Sequence, residues 1–454
     1  MTATSASPGS SRAPRVLVLS ENLSVPFDTR VWKEARTLAS AGYDVQVVCP
    51  RGSTRDTEPY AEIENVRIHR YSCAPAAGGP LSYLREYGVA LGQSVRLTLR
   101  LAREAPFDVV HACNPPDLFF LIGLMLKPAG TRFLFDHHDL VPELFLSRFA
   151  DGPRLLYRLS LWLERLTFAL ADGVISTNES YRRAATGRGK VPPGRVSIVR
   201  SAPDLSRFTP VEPDPSLKGG KPYLACYLGV MGPQDGVDYA LRALAHLRHD
   251  RGRDDLRSVF IGSGDAFDES VALSRALELD DCVEFTGRVS DSAVLRYLST
   301  ADVCISPDPS NPLNDVSSMN KVVEYMAMSR PFVSFDLAEA RFTAQDAALY
   351  AFDNDEREFA RLIGVLLDDP ERRERMGRLG RLRVEESFSW EISARNLLAA
   401  YADLLGRPPR RSWRRWLRRR PLFRRRSPAQ LRVSSRAASG SARARPPGAG
   451  RPVP

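Results

Sequence analysis

Short apolar runs alternate with longer amphipathic ones along most of this chain, and that alternation predicts the fold. Val16–Ser20 (VLVLS) is a short unbroken apolar run, as expected of a strand buried on both faces. The polar loop Glu21–Thr29 leads into a helix over Arg30–Ala41, and Asp44–Cys49 is the next strand. Val66–His69 reads as another. Helical spacing covers about Leu81–Arg103, followed by strand Asp108–His111, helix Pro116–Leu126 and strand Arg132–Asp136. An amphipathic helix, Pro153–Ala171, comes next. Gly173–Ser176 and Val196–Val199 are short strands on either side of a further helix.

The Pro/Asp-rich stretch Ser201–Pro222 interrupts the series and reads as a linker. A second series follows: strand Tyr223–Leu228, helix Val237–His249, then strands Ser258–Ile261, Cys282–Phe285, Val303–Ser306, Pro331–Phe335 and Leu349–Ala351 with helices between. After Pro370 the pattern is wholly helical. Two α/β halves of this kind predict two Rossmann-like, doubly wound domains facing across a cleft, with ligands at the carboxyl ends of strands. The expected divisions are 1–14 tail, 15–200 first domain, 201–222 linker, 223–387 second domain, 388–406 a helix returning to the first domain, and 407–454 tail.

Charge changes the picture at the C-terminus. Sixteen arginines and no lysine or carboxylate fall in residues 407–454, so the overall +10 becomes −6 for residues 1–406. Such a tail has too few apolar residues for a core and is expected to be disordered. Trp413, Trp416, Leu417, Leu422 and Phe423 are interleaved with arginines in its first half, which suits an anionic membrane surface through residues 407–426. Nucleic acid is the weaker reading and an unselected solubilising tail a third. The helix Pro153–Ala171, with Leu155, Leu156, Leu159, Leu161, Trp162, Leu163 and Leu166 beside Arg154, Arg158 and Arg165, either covers the sheet or rests on the same membrane. The six cysteines are scattered without metal-binding spacing, no apolar run is long enough to span a bilayer, and the N-terminus lacks an apolar leader core. A cytoplasmic protein is expected, with peripheral contact to the inner membrane face.

Candidate chemistry concentrates in Asp302–Phe332. A strand, a polar turn and a helix N-terminus follow one another, with Ser317 or Ser318 as the expected N-cap. Ser318, Met319, Asn320 and Lys321 would offer backbone N–H groups and a cation to a phosphate or diphosphate. Glu324, three residues after Lys321, would accept from sugar hydroxyls. An ordinary capped helix with a Lys–Glu surface pair fits the same spacing.

Seven segments in order carry a resemblance: DTRVWKEARTLASAGYDVQVVCP, FDVVHACNPPDLFFLIG, FDHHDLVPE, YLGVMGPQDGVDYALRAL, FIGSGD, VEFTGRVSD and SSMNKVVEYMAMSRPFV. With these the chain resembles the GT-B fold retaining glycosyltransferases of family 4 (glycosyl transferases group 1), of the bacterial surface-polysaccharide type, over about Val16–Leu405. The resemblance implies transfer of a sugar from a nucleotide-sugar to a saccharide or lipid-linked acceptor, with no cofactor and no metal. It implies a catalytic set of His138, Lys321 and Glu324, with His137 as the register alternative to His138. The implied donor-binding residues are Gly229, Gly262, Ser263, Gly264, Arg288, Ser318, Met319, Asn320, Lys321 and Glu324. Asp28, Arg30 and His111 would face the acceptor, with Asp28 alternatively a helix N-cap.

The chain departs from the family pattern at several points. Val316 stands where a first glutamate is usual, with Asp315 one residue out of register, and Val230 and Asp235 replace a phosphate-clamping Arg and Lys. The usual Asn-Gly pair of the linker is Ser201-Ala202. Phosphate binding would then lean on Lys321, backbone amides and Arg200. A nucleotide-sugar 2-epimerase on the same fold and an inactive, binding-only relative are the alternatives.

Overall fold

The computed structural model describes residues 12–52, 55–73, 80–148 and 152–407, all within one unit, Met1–Pro409. Most of the expected N-terminal tail and nearly all of the Arg-rich tail lie outside the described residues. The first sheet contains β1 (Arg15–Leu19), β2 (Asp44–Pro50), β3 (Tyr60–Ile63), β4 (Val66–Tyr71), β5 (Val109–Cys113), β6 (Arg132–His137), β7 (Gly173–Ser176) and β8 (Val196–Ile198). Their order is β3-β4-β2-β1-β5-β6-β7-β8, parallel except for β3 against β4. Val16, Leu17, Val18 and Leu19 are fully buried because helices cover both faces. The antiparallel β3 is absent from the sequence reading: its four residues alternate between exposed and half-buried at the sheet edge, leaving no apolar run to detect.

The second sheet contains β9 (Tyr223–Leu228), β10 (Leu256–Ile261), β11 (Val283–Gly287), β12 (Val303–Ser306), β13 (Phe332–Phe335) and β14 (Ala348–Ala351). It is parallel throughout, in the order β11-β10-β9-β12-β13-β14. One core on a face of this sheet centres on Tyr227, Phe260, Phe335 and Phe359, and the other on Cys226, Tyr325, Met326 and Phe332.

These are two Rossmann-like domains of the GT-B fold. The helix Trp390–Gly406 packs on the first: Leu397, Ala400, Tyr401 and Leu404 join its core with Val16, Leu134 and Ile175. Trp390 Nε1 also donates to Thr37 Oγ1 at 3.1 Å. In each sheet the strand order reverses once, between β1 and β5 and between β9 and β12. The loops at the carboxyl ends of β1, β6, β9, β10, β11 and β12, on either side of these switch points, supply the site residues.

Candidate functional site

Four charged groups meet beneath the first domain's switch point. Arg30, one residue into the helix Thr29–Ser40, is buried and grips both oxygens of Asp136 at the end of β6, at 2.7 and 3.0 Å. It also donates to Val199 O (2.9 Å) and Ser201 Oγ (3.1 Å) and lies 3.0 Å from Glu34 Oε1. Burial opposes ionisation of Asp136, yet Arg30 and His138 hold its carboxyl well below the usual range. For Glu34 burial wins over Arg30, and its carboxyl rises to about 7. Glu34, His111, Cys113 and Asp136 bring ligand atoms within 4.8 Å of one another. Arg30 already supplies the cation for both carboxylates, so a further cation there would meet the guanidinium.

Two expectations for this domain change, and for Asp28 the N-cap alternative is the one observed. Arg30 does not reach an acceptor; it is a buried ion-pair partner. His111 does not face the cleft: it is fully buried, with Nδ1 2.9 Å from the Tyr401 hydroxyl. Asp28 is the N-cap, its Oδ1 accepting from Val31 N at 3.1 Å. His137 is enclosed among Phe135, Phe168 and Tyr181, whereas His138 keeps its side chain 15% exposed with Nδ1 2.9 Å from Asp136 Oδ2. The pair of adjacent histidines thus divides into an inward and an outward member.

In the second domain the glycines answer a backbone contact. A Cβ on Gly262, whose φ is +139°, would stand 1.8 Å from Gly229 O, and one on Gly264 would stand 2.5 Å from Met231 O. The turns after β9 and β10 therefore touch main chain to main chain, and their smallness serves that approach first. Lys321 is not a free cation. Its Nζ is buried, 2.7 Å from Asp308 Oδ1 and 4.9 Å from the centre of the Tyr227 ring. Asp235, in the place of the family's lysine, accepts from Gly232 N (2.9 Å). Burial raises its carboxyl to about 6 against the pull of Lys321.

The helix itself runs Asn320–Ala327 with Met319 at the N-cap and no side-chain cap. Ser318 is diverted: Asn178 Nδ2 of the first domain donates to its Oγ and to Val316 O, both at 2.9 Å. Tyr181 and Ser317 hydroxyls are 3.1 Å apart, and Ser180 donates to Glu339. Val316 packs with Leu140, Tyr181 and Leu313 in an apolar cluster shared by both domains, where a glutamate would be desolvated. Asp315 accepts from Ser310 Oγ at 3.0 Å within its own loop. Arg200 stacks on Phe388 and lines a small cavity with Ser318, Met319 and Asn320.

One electrostatic pairing and one direct contact between the domains were not legible in the sequence. Lys33, one turn after Arg30, donates to Ala202 O at 2.5 Å and faces Glu324. Burial lowers its amine to about 8, opposed by Glu324, and burial raises the Glu324 carboxyl, opposed by Lys33. Arg288 donates to Ser263 Oγ (2.9 Å) and lays its guanidinium 4.8 Å over the Phe27 ring. The usable signal was the spacing of Arg30, Lys33 and Glu34, which puts three charges on one face of the helix Thr29–Ser40. The structure thus gathers Gly229, Lys321, Glu324, Lys33 and the His138–Asp136 pair around the strand ends. It sets His111 and Arg30 inside the first domain.

Comparison with known proteins agrees with the fold. Residues 28–202 match the family model described as glycosyl transferase 4-like domain, and residues 222–369 match glycosyl transferases group 1. A D-inositol 3-phosphate glycosyltransferase of Kineococcus radiotolerans is 26% identical over 81% of this chain and 88% of its own length. A GDP-mannose-dependent monoacylated alpha-(1-6)-phosphatidylinositol monomannoside mannosyltransferase of Corynebacterium glutamicum is 29% identical over 65% of this chain and 77% of its own. Sucrose-phosphate synthase from Thermosynechococcus elongatus superposes with a TM-score of 0.71 at 20% identity, covering 86% of this chain and 99% of that one.

Proposed function

Since the chain belongs to the group 1 glycosyl transferases of the GT-B fold, we propose that it transfers a hexose with retention from a UDP-sugar or GDP-mannose. The acceptor in this reading is a saccharide or lipid-linked saccharide of cell-surface polysaccharide or glycolipid synthesis. The observation that carries it is the position of Glu324. It lies within electrostatic range of Lys33 of the opposite domain, without an ion pair between them, and one turn from Lys321, whose side chain adjoins the Gly229 backbone. That is where a donor's ribose and diphosphate would lie.

In the proposed reaction the bond from the anomeric carbon to the diphosphate oxygen breaks, and its electron pair stays with the diphosphate. The acceptor oxygen bonds on the same face, and its proton passes to the departing phosphate oxygen. His138, Lys33 and the N–H groups around Asn320 would meet the developing charge. No metal is assigned to the donor site: Asp308, the carboxylate just beyond β12, is committed to Lys321. Lys321 then acts through Asp308 and Asp235, holding the loop in shape.

Nucleotide release separates this reading from its alternatives. The first probes are UDP-glucose and GDP-mannose, each with and without D-inositol 3-phosphate or a phosphatidylinositol mannoside. Release should require both donor and acceptor. Turnover of the donor alone to an isomer would favour a 2-epimerase, and no turnover of any donor the protein binds would favour a binding-only relative.

We also propose a peripheral association with the inner membrane face. No described helix is long and apolar enough to cross a membrane. On the helix Arg154–Leu170, however, Leu155 (75% exposed), Leu159 (37%) and Trp162 (42%) share a stripe with the exposed Arg154, Arg158 and Arg165. Apolar side chains rimmed by arginines complement anionic headgroups. The full chain should float with liposomes containing phosphatidylglycerol, and Leu155→Glu/Trp162→Glu should reduce that binding at least tenfold. Equal flotation of the variant would remove this helix from the membrane reading.

A further inference from the structure

The buried charges of the first domain form one connected line that ends at the cleft. Tyr401, on the returning helix, meets His111 Nδ1 at 2.9 Å, and His111 Nε2 lies 3.5 Å from Glu34 Oε2. Glu34 touches Arg30, Arg30 grips Asp136, and Asp136 Oδ2 is 2.9 Å from His138 Nδ1. Every member except His138 is nearly or fully buried. The main chain at the end of the line is fixed as well. Asn114 Oδ1 accepts from the backbone N–H of His138 (2.9 Å) and of Asp139 (3.1 Å), while its Nδ2 donates to Asp139 O (2.7 Å).

We propose that Asp136, anchored by Arg30, is a positioning residue. It holds Nδ1–H of His138 and thereby presents Nε2–H to the cleft as a hydrogen-bond donor. The identity of the oxygen that receives this bond, on the transferred sugar or its leaving phosphate, rests on the glycosyltransferase reading; the Asp136–His138 geometry does not.

The electrostatics agree with the geometry. Burial disfavours the imidazolium, but the Asp136 carboxylate outweighs it and lifts the ring to about 9. Asp139, Asp28 and Glu34 face the same ring and add to the effect, while Arg30 opposes it. The distinction matters chemically. With Nδ1–H given to Asp136, a neutral ring offers Nε2 as an acceptor, and only the doubly protonated ring offers it as a donor.

The test is a titration of the full-length protein labelled with 15N-histidine, with His138→Gln assigning the resonance. The expected wild-type result is a ring protonated on both nitrogens at pH 7.5, with a midpoint near 9. Asp136→Asn should lower the midpoint by at least one unit, and the basic limb of the kcat profile should move with it. A merely structural Asp136 would lower the melting temperature and leave the midpoint of the folded variant unchanged. A neutral His138 at pH 7.5 in the wild type would overturn the proposal even if the variant does not fold. The titration uses no substrate, so failure of the glycosyltransferase reading shows separately, as absence of nucleotide binding and transfer.

Discussion

Arg30→Met should lower the stability of the first domain by about 3–5 kcal/mol, a drop in melting temperature of roughly 10 °C for a unit of this size. The reason is what it leaves behind. Asp136 and Glu34 are both fully buried, and Arg30 is the guanidinium that touches each of them. Without it two carboxylates share a desolvated site, with His138, His111 and the Lys33 amine nearby as partial compensation. One of them must take up a proton, so the loss should be smaller at pH 5 than at pH 8. The side chain's own packing is a minor part of the effect, since methionine fills similar space. Arg30→Met/Asp136→Leu should recover part of the loss, because an apolar pair can replace a buried ion pair at little net change. Chemical denaturation of the single and double variants checks both statements. A loss below about 1 kcal/mol in the single variant would mean that the carboxylates have another partner.

Glu324→Ala is expected to weaken nucleotide binding by roughly 10–150-fold, the range for losing charge-assisted hydrogen bonds of about 1.5–3 kcal/mol. Its effect should fall on binding more than on folding. Glu324 is half-buried at the cleft, and its removal leaves Lys33 still donating to Ala202 O. Glu324→Gln should lose less, because the amide still offers one acceptor oxygen. A Lys321 variant would give a less readable result: it strips Asp308 of its ion-pair partner and disturbs the loop before it reaches any ligand.

The fold class was legible because each parallel strand buried on both faces announces itself as a short apolar run, as VLVL does in β1 and YLACYL in β9. The edge strand β3 escaped because Tyr60 and Glu62 face solvent and leave no such run. For the candidate site, residue types pointed to the right loops but not to their pairings. Arg30 and Asp136 are 106 positions apart, and Asn178 and Ser318 are 140 apart, so nothing local signals either contact. Ser318 has the chemistry of an N-cap, but its hydroxyl accepts from Asn178 and the helix begins at Asn320 instead. The cation of Lys321 suggested a phosphate ligand, although Asp308, thirteen residues upstream, already holds it. Gly262 and Gly264, implied as donor-binding by the resemblance, have the space of their missing Cβ taken by Gly229 O and Met231 O. In each case the side chain's identity was informative, and its partner was fixed only by tertiary packing.

Thermal stabilisation by UDP, GDP, ADP, dTDP and CMP, measured on the wild type and on Glu324→Ala, tests the donor pocket most directly. A shift of several degrees with one nucleotide, abolished in Glu324→Ala at equal concentration, is the predicted result. No shift with any of the five, or an equal shift in the variant, would contradict a donor site built on Glu324.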